Sequence, residues 1–451
     1  MKYIEKKIKE IKKNPYMIFF FGFAIVIFIG AILLALPFAS QNGQSVGFIN
    51  ALFTAASATC VTGLVVVNTA AHWTLFGKLV IITLIQIGGL GVMTMTAMIS
   101  FFLGKRISLK TRILIMEERN ADELQGVVRL TKNILLYTFG VELVGAVLFS
   151  FVFIKDYGIV KGIGYSLFHA ISSFCNAGFD LIGNSMINYV DNPIITLAAC
   201  GLIVIGGIGY FVFWDIYASK KFHMLTLHSK LVLIITGVLL VSGTAIMFAL
   251  EHDNPGTMGN LDMSGKINAS IFQAVNPRTA GYNTVPIENL RMATVAITVA
   301  FMFIGGSPAS TAGGIKTTTL GVLIVSFYNL FRGKRDFEVF ERRIMPETTL
   351  RAAAILMTSL MLVLTVSIIL SITEEVSGYD YLDILYETVS AFATVGLTRG
   401  LTPYLSDAGK LLLSALMFIG RVGPMTVAYA FLKQNKNIGN YTYPEGKVII
   451  G

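Results

Sequence analysis

The sequence predicts an all-α polytopic membrane protein in which one unit (span, short helix, glycine loop, span) recurs four times. Three observations carry this. Of 451 residues, 54% are hydrophobic and only 14% charged, with a mean hydropathy of +0.71, whereas a soluble chain carries about a quarter charged residues. Several apolar stretches exceed the ~18 residues that mark a spanning helix. Basic residues gather between or outside pairs of these stretches, and glycine-bearing loops recur at nearly equal intervals.

The first apolar stretch, Met17 to Pro37, follows a basic segment. It is longer than the ~7–15 residues of a signal-peptide core, so it reads as an uncleaved first span with a cytoplasmic N-terminus. Lys and Arg cluster at 2–13, 105–132, 220–230, 332–351 and 433–447, which together hold 25 of the 35. This is the positive-inside pattern. It places both termini in the cytoplasm of a multi-pass plasma (inner) membrane protein. The net charge of +9 then reflects topology in a lipid bilayer and requires no nucleic acid. The clusters divide the chain into residues 1–104, residues 105–219 with a preceding cytoplasmic linker, residues 220–331, and residues 332–451 with a C-terminal tail. Cys60, Cys175 and Cys200 lie in or beside apolar segments without CxxC spacing and read as small buried hydrophobes.

Each unit carries a segment too short to span: NALFTAASATCVTGL (50–64), SLFHAISSFCNAGFD (166–180), SIFQAVNPRTAGYN (270–283) and ILYETVSAFATVGLT (384–398). Each ends in a glycine followed by a large apolar residue. The glycines, Gly63, Gly178, Gly281 and Gly396, are 115, 103 and 115 residues apart. An aromatic residue stands ten positions earlier in three copies (Phe53, Phe168, Tyr386) and nine earlier in the third (Phe272), a slip of one. The spans that follow also match: QIGGLGVMT (86–94), VIGGIGYFV (204–212), FIGGSPAST (303–311) and FIGRVGPMT (418–426). The glycines of the first two (Gly88, Gly89, Gly91, Gly206, Gly207, Gly209) read as packing contacts between membrane helices.

Non-helical backbone survives at membrane depth only where it lines a cavity or is buried in protein. Four such loops therefore belong around one axis. A short helix stopping midway leaves about half a negative charge at its C-terminal end, and four of them favour a cation. Successive inward carbonyls demand one Gly per loop. Thr394-Val395-Gly396 matches the core of the TVGYG potassium filter, and the others read Val61-Thr62-Gly63, Asn176-Ala177-Gly178 and Thr279-Ala280-Gly281. The expected site is a potassium ion held by the carbonyls of these twelve residues, on one ion pathway.

The third inner span, FIGGSPASTAGGIKTTTLGV (303–322), is dense in helix breakers, and the expectation is an unwound loop at 305–319 crossing the pathway as a gate. Gly305, Gly306, Ser310, Thr311, Gly313, Gly314 and Lys316 belong to it. Its Gly-rich text fails the phosphate-loop pattern, because Ile315 separates Gly314 from Lys316. Arg421 lies about a dozen residues into the fourth inner span, roughly 18 Å deep, where an ionisable residue marks function by default. It is expected beside the gate, the alternative being an Arg that pairs with helix-end carbonyls. Arg278 and Arg399 flank the loops and are expected to pair with a carboxylate such as Asp180 or Glu288. His169 reads as a core hydrogen-bonding residue.

ATCVTGL, FCNAGF, PRTAGYN, ATVGLTRGL, GGSPASTAGGIKTTT, FIGRVGP and the C-terminal YPEGKVIIG together resemble the Trk/Ktr/HKT superfamily of potassium transporters, most closely the membrane subunit of bacterial Ktr systems. The resemblance implies one potassium pathway per chain, a homodimer, and a cytoplasmic nucleotide-binding regulatory ring. It also implies no cofactor in this chain, and activation that often involves sodium. Gly63 goes with potassium selectivity in that family; Cys175, Asn176 and the slip in the third copy depart from its pattern.

Two other functions compete with a gated potassium channel. A secondary carrier coupled to sodium or protons would use broken helices and intramembrane carboxylates; Glu142 is the main candidate carboxylate. An enzyme is disfavoured, since the chain has no metal cluster, Ser-His-Asp constellation or paired carboxylates on one face.

Overall fold

The computed structural model describes residues 15–91, 94, 127–334, 336–374 and 378–431. The basic segment 2–13, most of the 105–132 linker and the C-terminal tail fall outside the described residues. Among those described, four helices are long and apolar enough to cross a bilayer: Tyr16–Ala35, Thr131–Tyr157, Leu227–Glu251 and Pro346–Thr373. Each is followed by a short helix, namely Phe48–Cys60, Ile159–Phe174, Met263–Val275 and Tyr381–Ala393. Thirteen residues, the length of three of these, reach only ~20 Å, against a hydrocarbon core of about 30 Å. An apolar inner helix then follows each loop: Leu75–Leu90, Pro193–Ile208, Met292–Phe303 and Asp407–Val422.

Burial ranks these elements. The long helices expose Phe28, Val241 and Met361, the apolar outer face a membrane span presents to lipid. The C-terminal halves of the short helices are buried on every side, as in Phe53–Cys60 and Tyr386–Ala393. The aromatic residues noted ahead of each loop glycine, Phe53, Phe168, Phe272 and Tyr386, are at most 5% exposed. The short helices therefore form the centre of the molecule, with the spans around them.

The inner helices break at one equivalent place. Gly91, Gly209 and Gly423 each end an inner helix at φ of +87°, +98° and +93°. The chain bends by 91° at Gly209 and 93° at Gly423. In the third copy Pro308 occupies this position, and a loop from Ile304 to Lys316 separates Met292–Phe303 from Thr317–Phe331. This corrects two expectations. The break is not confined to the third inner span, and Gly91 and Gly209 are helix breakers; Gly209 is a packing glycine as well, since a Cβ there would lie 2.6 Å from the Pro308 carbonyl oxygen. Their backbone takes left-handed angles that disfavour a Cβ.

The C-terminal ends of the long helices are clasped to the starts of the inner helices. Glu251, fully buried, accepts hydrogen bonds from Asn254 Nδ2 (2.6 Å), Thr257 Oγ1 (2.7 Å), the Arg291 N–H (3.0 Å) and Thr294 Oγ1 (2.5 Å). Glu374 accepts from the Ser406 N–H (2.8 Å) and hydroxyl (2.6 Å). In the first two copies the same join uses the Thr74 N–H on the Ala39 carbonyl (2.9 Å) and the Tyr189 hydroxyl on Asp156 (2.8 Å). A small departure from all-helical structure is the antiparallel hairpin of Phe337–Val339 and Arg342–Ile344. Phe340 and Glu341 both take positive φ in its two-residue turn, as such hairpins require.

Glu251→Ala leaves two hydroxyls, an amide and a backbone N–H without their acceptor. At ~1–3 kcal/mol for an unsatisfied buried group, it is expected to lower the unfolding temperature of the detergent-solubilised chain by several degrees. Asp253→Ala removes only exposed contacts, with Arg291 at 3.0 Å and His252 at 3.9 Å, and is expected to leave that temperature nearly unchanged.

Candidate functional site

The four glycine loops have one backbone conformation. In each, a non-glycine residue with positive φ is followed by an ordinary residue and then a positive-φ glycine. The first position is Val61 (+58°), Asn176 (+61°), Thr279 (+69°) and Thr394 (+54°); the glycine is Gly63 (+99°), Gly178 (+69°), Gly281 (+73°) and Gly396 (+88°). A β-branched residue at positive φ is a genuine outlier, and three of the four copies carry one. Such strain persists only where its surroundings over-determine it.

The loops close into a ring in chain order. A Cβ on Gly63 would lie 2.5 Å from the Ala177 carbonyl oxygen, one on Gly178 2.9 Å from that of Ala280, and one on Gly281 2.7 Å from that of Val395; a Cβ on Gly396 would collide with that of Thr62. Each glycine thus faces the middle carbonyl of the next loop, and the fourth returns to the first.

The loop N–H groups turn back into the short helices. Thr62, Ala177 and Val395 donate to the carbonyls of Ser57, Ser172 and Ser390 at 2.7–2.8 Å, a reach of five residues. In the third copy Ala280 donates to Asn276 (3.0 Å), a reach of four, which absorbs the one-residue slip. The hydroxyls of Ser57 and Ser390 accept from the N–H of Gly63 and Gly396, both at 3.1 Å. Asn276 grips Tyr282 at both backbone groups, accepting its N–H at 3.0 Å. Among the described residues no donor meets the carbonyls of Thr62, Ala177, Ala280 or Val395. Asn176 ties the second loop to the third through the Arg278 carbonyl and Thr279 Oγ1, both at 3.2 Å.

The inner helices press on this ring from behind. A Cβ on Gly88, Gly206 or Gly420 would strike the carbonyl of Thr59, Phe174 or Phe392, each four residues before its loop glycine. Here Gly88 and Gly206 do serve close packing. The next position is Gly89, Gly207 and Gly306 in three copies and Arg421 in the fourth. Arg421 donates to the carbonyl of Thr311 and to that of Gly88. It therefore spans from the interrupted third copy to the end of the first inner helix. The two alternatives weighed for it coincide, because one partner is a helix-end carbonyl and the other lies in the loop.

The 304–316 segment crosses between copies. Ser307 and Thr311 donate their N–H groups to Gly207 (3.0 Å) and Gly206 (3.2 Å), and Thr311 Oγ1 reaches the Phe174 carbonyl (3.1 Å). On the other side Gly313 and Gly314 leave no room for a side chain against Thr394 and Ala393. Gly305 and Gly306 bond Ile315 and Thr317 through backbone at 2.9 and 3.0 Å. Ser310 Oγ donates to the Ser307 carbonyl (2.7 Å), and Lys316 Nζ to the Ala312 carbonyl (2.8 Å). Below the segment lies a cavity of about 500 Å³ lined by Gly88, Gly91, Pro308, Ser310, Lys316 and Arg421, among others.

Of the flanking cations, Arg399 pairs with a carboxylate as expected, though with neither of the two named, and Arg278 does not. Arg399 pairs with Asp383 and donates to the Glu288 backbone carbonyl (3.2 Å), not to its carboxylate. Arg278, 5% exposed, donates to Thr236 Oγ1 (3.1 Å) and has no ion pair among the described residues. Asp180 is occupied by the N–H groups of Gly183 and Ser185 (2.6 and 3.1 Å). His169 is fully buried, its Nδ1 2.7 Å from the Tyr165 carbonyl and its Nε2 accepting the Leu181 N–H at 3.4 Å. The sequence reading missed Glu387, which holds the fourth loop by accepting from Thr398 (2.5 Å) and from the Thr402 N–H and hydroxyl (2.8 and 2.6 Å). A carboxylate at the middle of a short helix, separated by six residues from the filter triplet, was its signal.

Gly178→Ala and Gly396→Ala combine a left-handed angle with a collision against a facing loop. At roughly 1–3 kcal/mol for such strain, each is expected to reduce cation passage through the ring by about tenfold or more in liposome flux. Gly140→Ala, whose Cβ would enter open space, is expected to leave it unchanged.

A family model described as TrkH, cation transport protein, matches residues 4–440. The chain is 44% identical over 449 residues to the Ktr system potassium uptake protein B of Bacillus subtilis, covering 99% of each chain. It is 42% identical to the potassium/sodium uptake protein NtpJ of Enterococcus hirae, covering 100% of each. Its fold is similar to the crystal structure of the potassium transporter TrkH from Vibrio parahaemolyticus, with a TM-score of 0.71 at 17% identity, over 91% of this chain and 84% of that one. The chain belongs to the TrkH family of cation transport proteins, multi-pass membrane transporters and not enzymes.

Proposed function

We propose that this chain is the pore subunit of a Ktr-type potassium uptake system of the plasma membrane, with four pseudo-symmetric units around one ion pathway. The observation that carries the reading is the closed ring in which each loop glycine faces the next loop's middle carbonyl. Four unpartnered carbonyls at membrane depth, at the C-terminal ends of four short helices, are a site for a desolvated cation. Val61 to Gly63, Asn176 to Gly178, Thr279 to Gly281 and Thr394 to Gly396 form this filter. Potassium is the ion because relatives covering essentially the whole chain are named for its uptake.

The 305–319 segment is the gate. It bonds the second inner helix on one side and fits against the fourth loop on the other, with Arg421 bolting it to the first inner helix. Passage requires it to move aside. The arrangement as a homodimer beneath which a nucleotide-binding ring docks, cytoplasmic termini, and activation by sodium extend the reading from the Ktr resemblance. A second reading, an ion-coupled carrier, draws on Glu142. It is 2% exposed within the second long helix and accepts from Gln86 Nε2 at 3.0 Å beside Cys175 of the second loop.

In liposomes holding the purified chain, potassium and rubidium flux is expected to exceed sodium flux by an order of magnitude or more, a margin of ~1.4 kcal/mol per factor of ten. Equal sodium flux would refute a potassium filter. Glu142→Gln is expected to leave potassium flux tied to its own gradient; loss of a coupled sodium or proton flux in that variant would establish the carrier instead.

Arg421→Ala removes the bolt, two charge-assisted hydrogen bonds to the Thr311 and Gly88 carbonyls, and is expected to raise potassium flux about tenfold or more, the population shift that about 1.5 kcal/mol supports. Flux identical to the parent in both Arg421→Ala and a chain lacking residues 311–316 would rule out the gate.

A further inference from the structure

Beside the cavity under the loops lies a second one of about 480 Å³, between the starts of the third and fourth long helices and the helix Thr317–Phe331. Its floor is apolar, formed by Leu231, Val322, Ile344, Ala352 and Ile355. Its polar rim carries Arg343, Arg351 and His228, and no carboxylate lines it. Asp336 takes one amine of Arg343 at 2.7 Å, leaving the rest of that guanidinium available. Arg351 is exposed and has no ion pair among the described residues. Two helices, Leu227–Glu251 and Pro346–Thr373, begin at this rim and turn their positive ends towards it.

The position fixes the chemistry. Leu227 and Pro346 start long apolar helices on the side marked by the basic clusters at 220–230 and 332–351, so the rim sits at headgroup level of the inner leaflet. Met345 and Leu350, 69% and 73% exposed, continue the apolar surface outward. We propose that this cavity binds an anionic phospholipid, its phosphate between Arg343 and Arg351 and an acyl chain along the Leu231–Val322–Ile355 floor. The charge selects an anion, and the apolar floor selects one that carries a hydrocarbon chain. Thr318, Thr319, Arg351 and Ile355 line both this cavity and the one under the loops, so the bound lipid forms part of the vestibule wall, one turn beyond Lys316.

The test is native mass spectrometry of the purified full-length chain, titrated with dioleoylphosphatidylglycerol and separately with dioleoylphosphatidylcholine. Phosphatidylglycerol is expected to be retained preferentially. Arg351→Gln is expected to weaken it roughly fivefold, and Arg343→Gln with Arg351→Gln about 25-fold, at ~1 kcal/mol per basic residue. Because Arg351 is exposed, its single variant keeps the test valid if the double variant does not fold. Arg332→Gln, which removes a guanidinium stacked 4.5 Å from the Tyr328 ring on the same face, is expected to have no effect. Equal retention of the two lipids, or an equal effect of Arg332→Gln, would overturn the proposal. Displacement of the lipid by millimolar glycerol phosphate would assign the rim to a free phosphate. A lipid-free dimer weakened by Arg351→Gln would assign it to a second copy of the chain; either result overturns a lipid site.

Discussion

Non-helical backbone at membrane depth has no water to bond, so every N–H it carries must find an acceptor inside the protein. The rest of this structure follows from how four loops meet that constraint. Their N–H groups reach back to the serines or asparagine of the short helix that precedes them. Donors are thereby consumed on the outer side of the ring and acceptors are left on the inner side. The asymmetry is achieved by placing one residue and one glycine of each loop at positive φ, which reverses the direction of successive peptide groups. A ring of this kind favours a cation because its electrostatics come from backbone dipoles, and side-chain identity is then free to vary from Val-Thr to Asn-Ala.

The fourfold scheme is broken in the third and fourth copies. Three inner helices turn at a glycine, whereas the third, with Pro308 at that position, unwinds for about a dozen residues. Three copies carry glycine at the position after the packing glycine; Cys175 crowds the space at Gly89 and Ala312 that at Gly306, while Asn176 lies at ordinary contact distance from Gly207. In the fourth copy that space lies beneath the loops and holds the Arg421 side chain. An arginine needs a full set of acceptors when it leaves water, and Thr311 and Gly88 supply two through backbone carbonyls at helix or loop ends, where the dipole already favours a positive charge.

Much of this was legible in the sequence because repetition exposes it. The short helices, the loop glycines and the interrupted third inner span each recur or fail to recur at a fixed offset, and the structure brings the four glycines to one ring. The helix breaks at Gly91, Gly209 and Gly423 were not legible. A glycine at a close contact and a glycine at a left-handed bend are the same letter, and only the backbone angle separates Gly88 from Gly91. The partners of Arg278 and Arg399 were also beyond reach. Sequence places a charge near a loop, but whether its side chain reaches Asp383 of the same unit's short helix or Thr236 of a long helix depends on how the helices pack. The third-copy slip was visible as a spacing, yet its resolution, a four-residue hydrogen-bond reach in place of five, is a property of Asn276 at the helix end.

The contacts behind the ring make the loops and the helix breaks one mechanical unit. Gly88, Gly206 and Gly420 hold the inner helices against the carbonyls that lead into the loops, three residues before the glycine at which each of those helices ends. Thr311 bonds Phe174 at the base of the second loop while Gly313 abuts Thr394 of the fourth. A displacement of the 304–316 segment therefore removes support from two loops at once. Interfaces packed this tightly are bistable and do not deform smoothly. Linkage is reciprocal: under the filter and gate proposed above, an ion in the ring and the position of the segment each bias the other. In that proposal, occupancy of the ring and opening of the segment are two readings of a single equilibrium, set by a few backbone hydrogen bonds and one arginine.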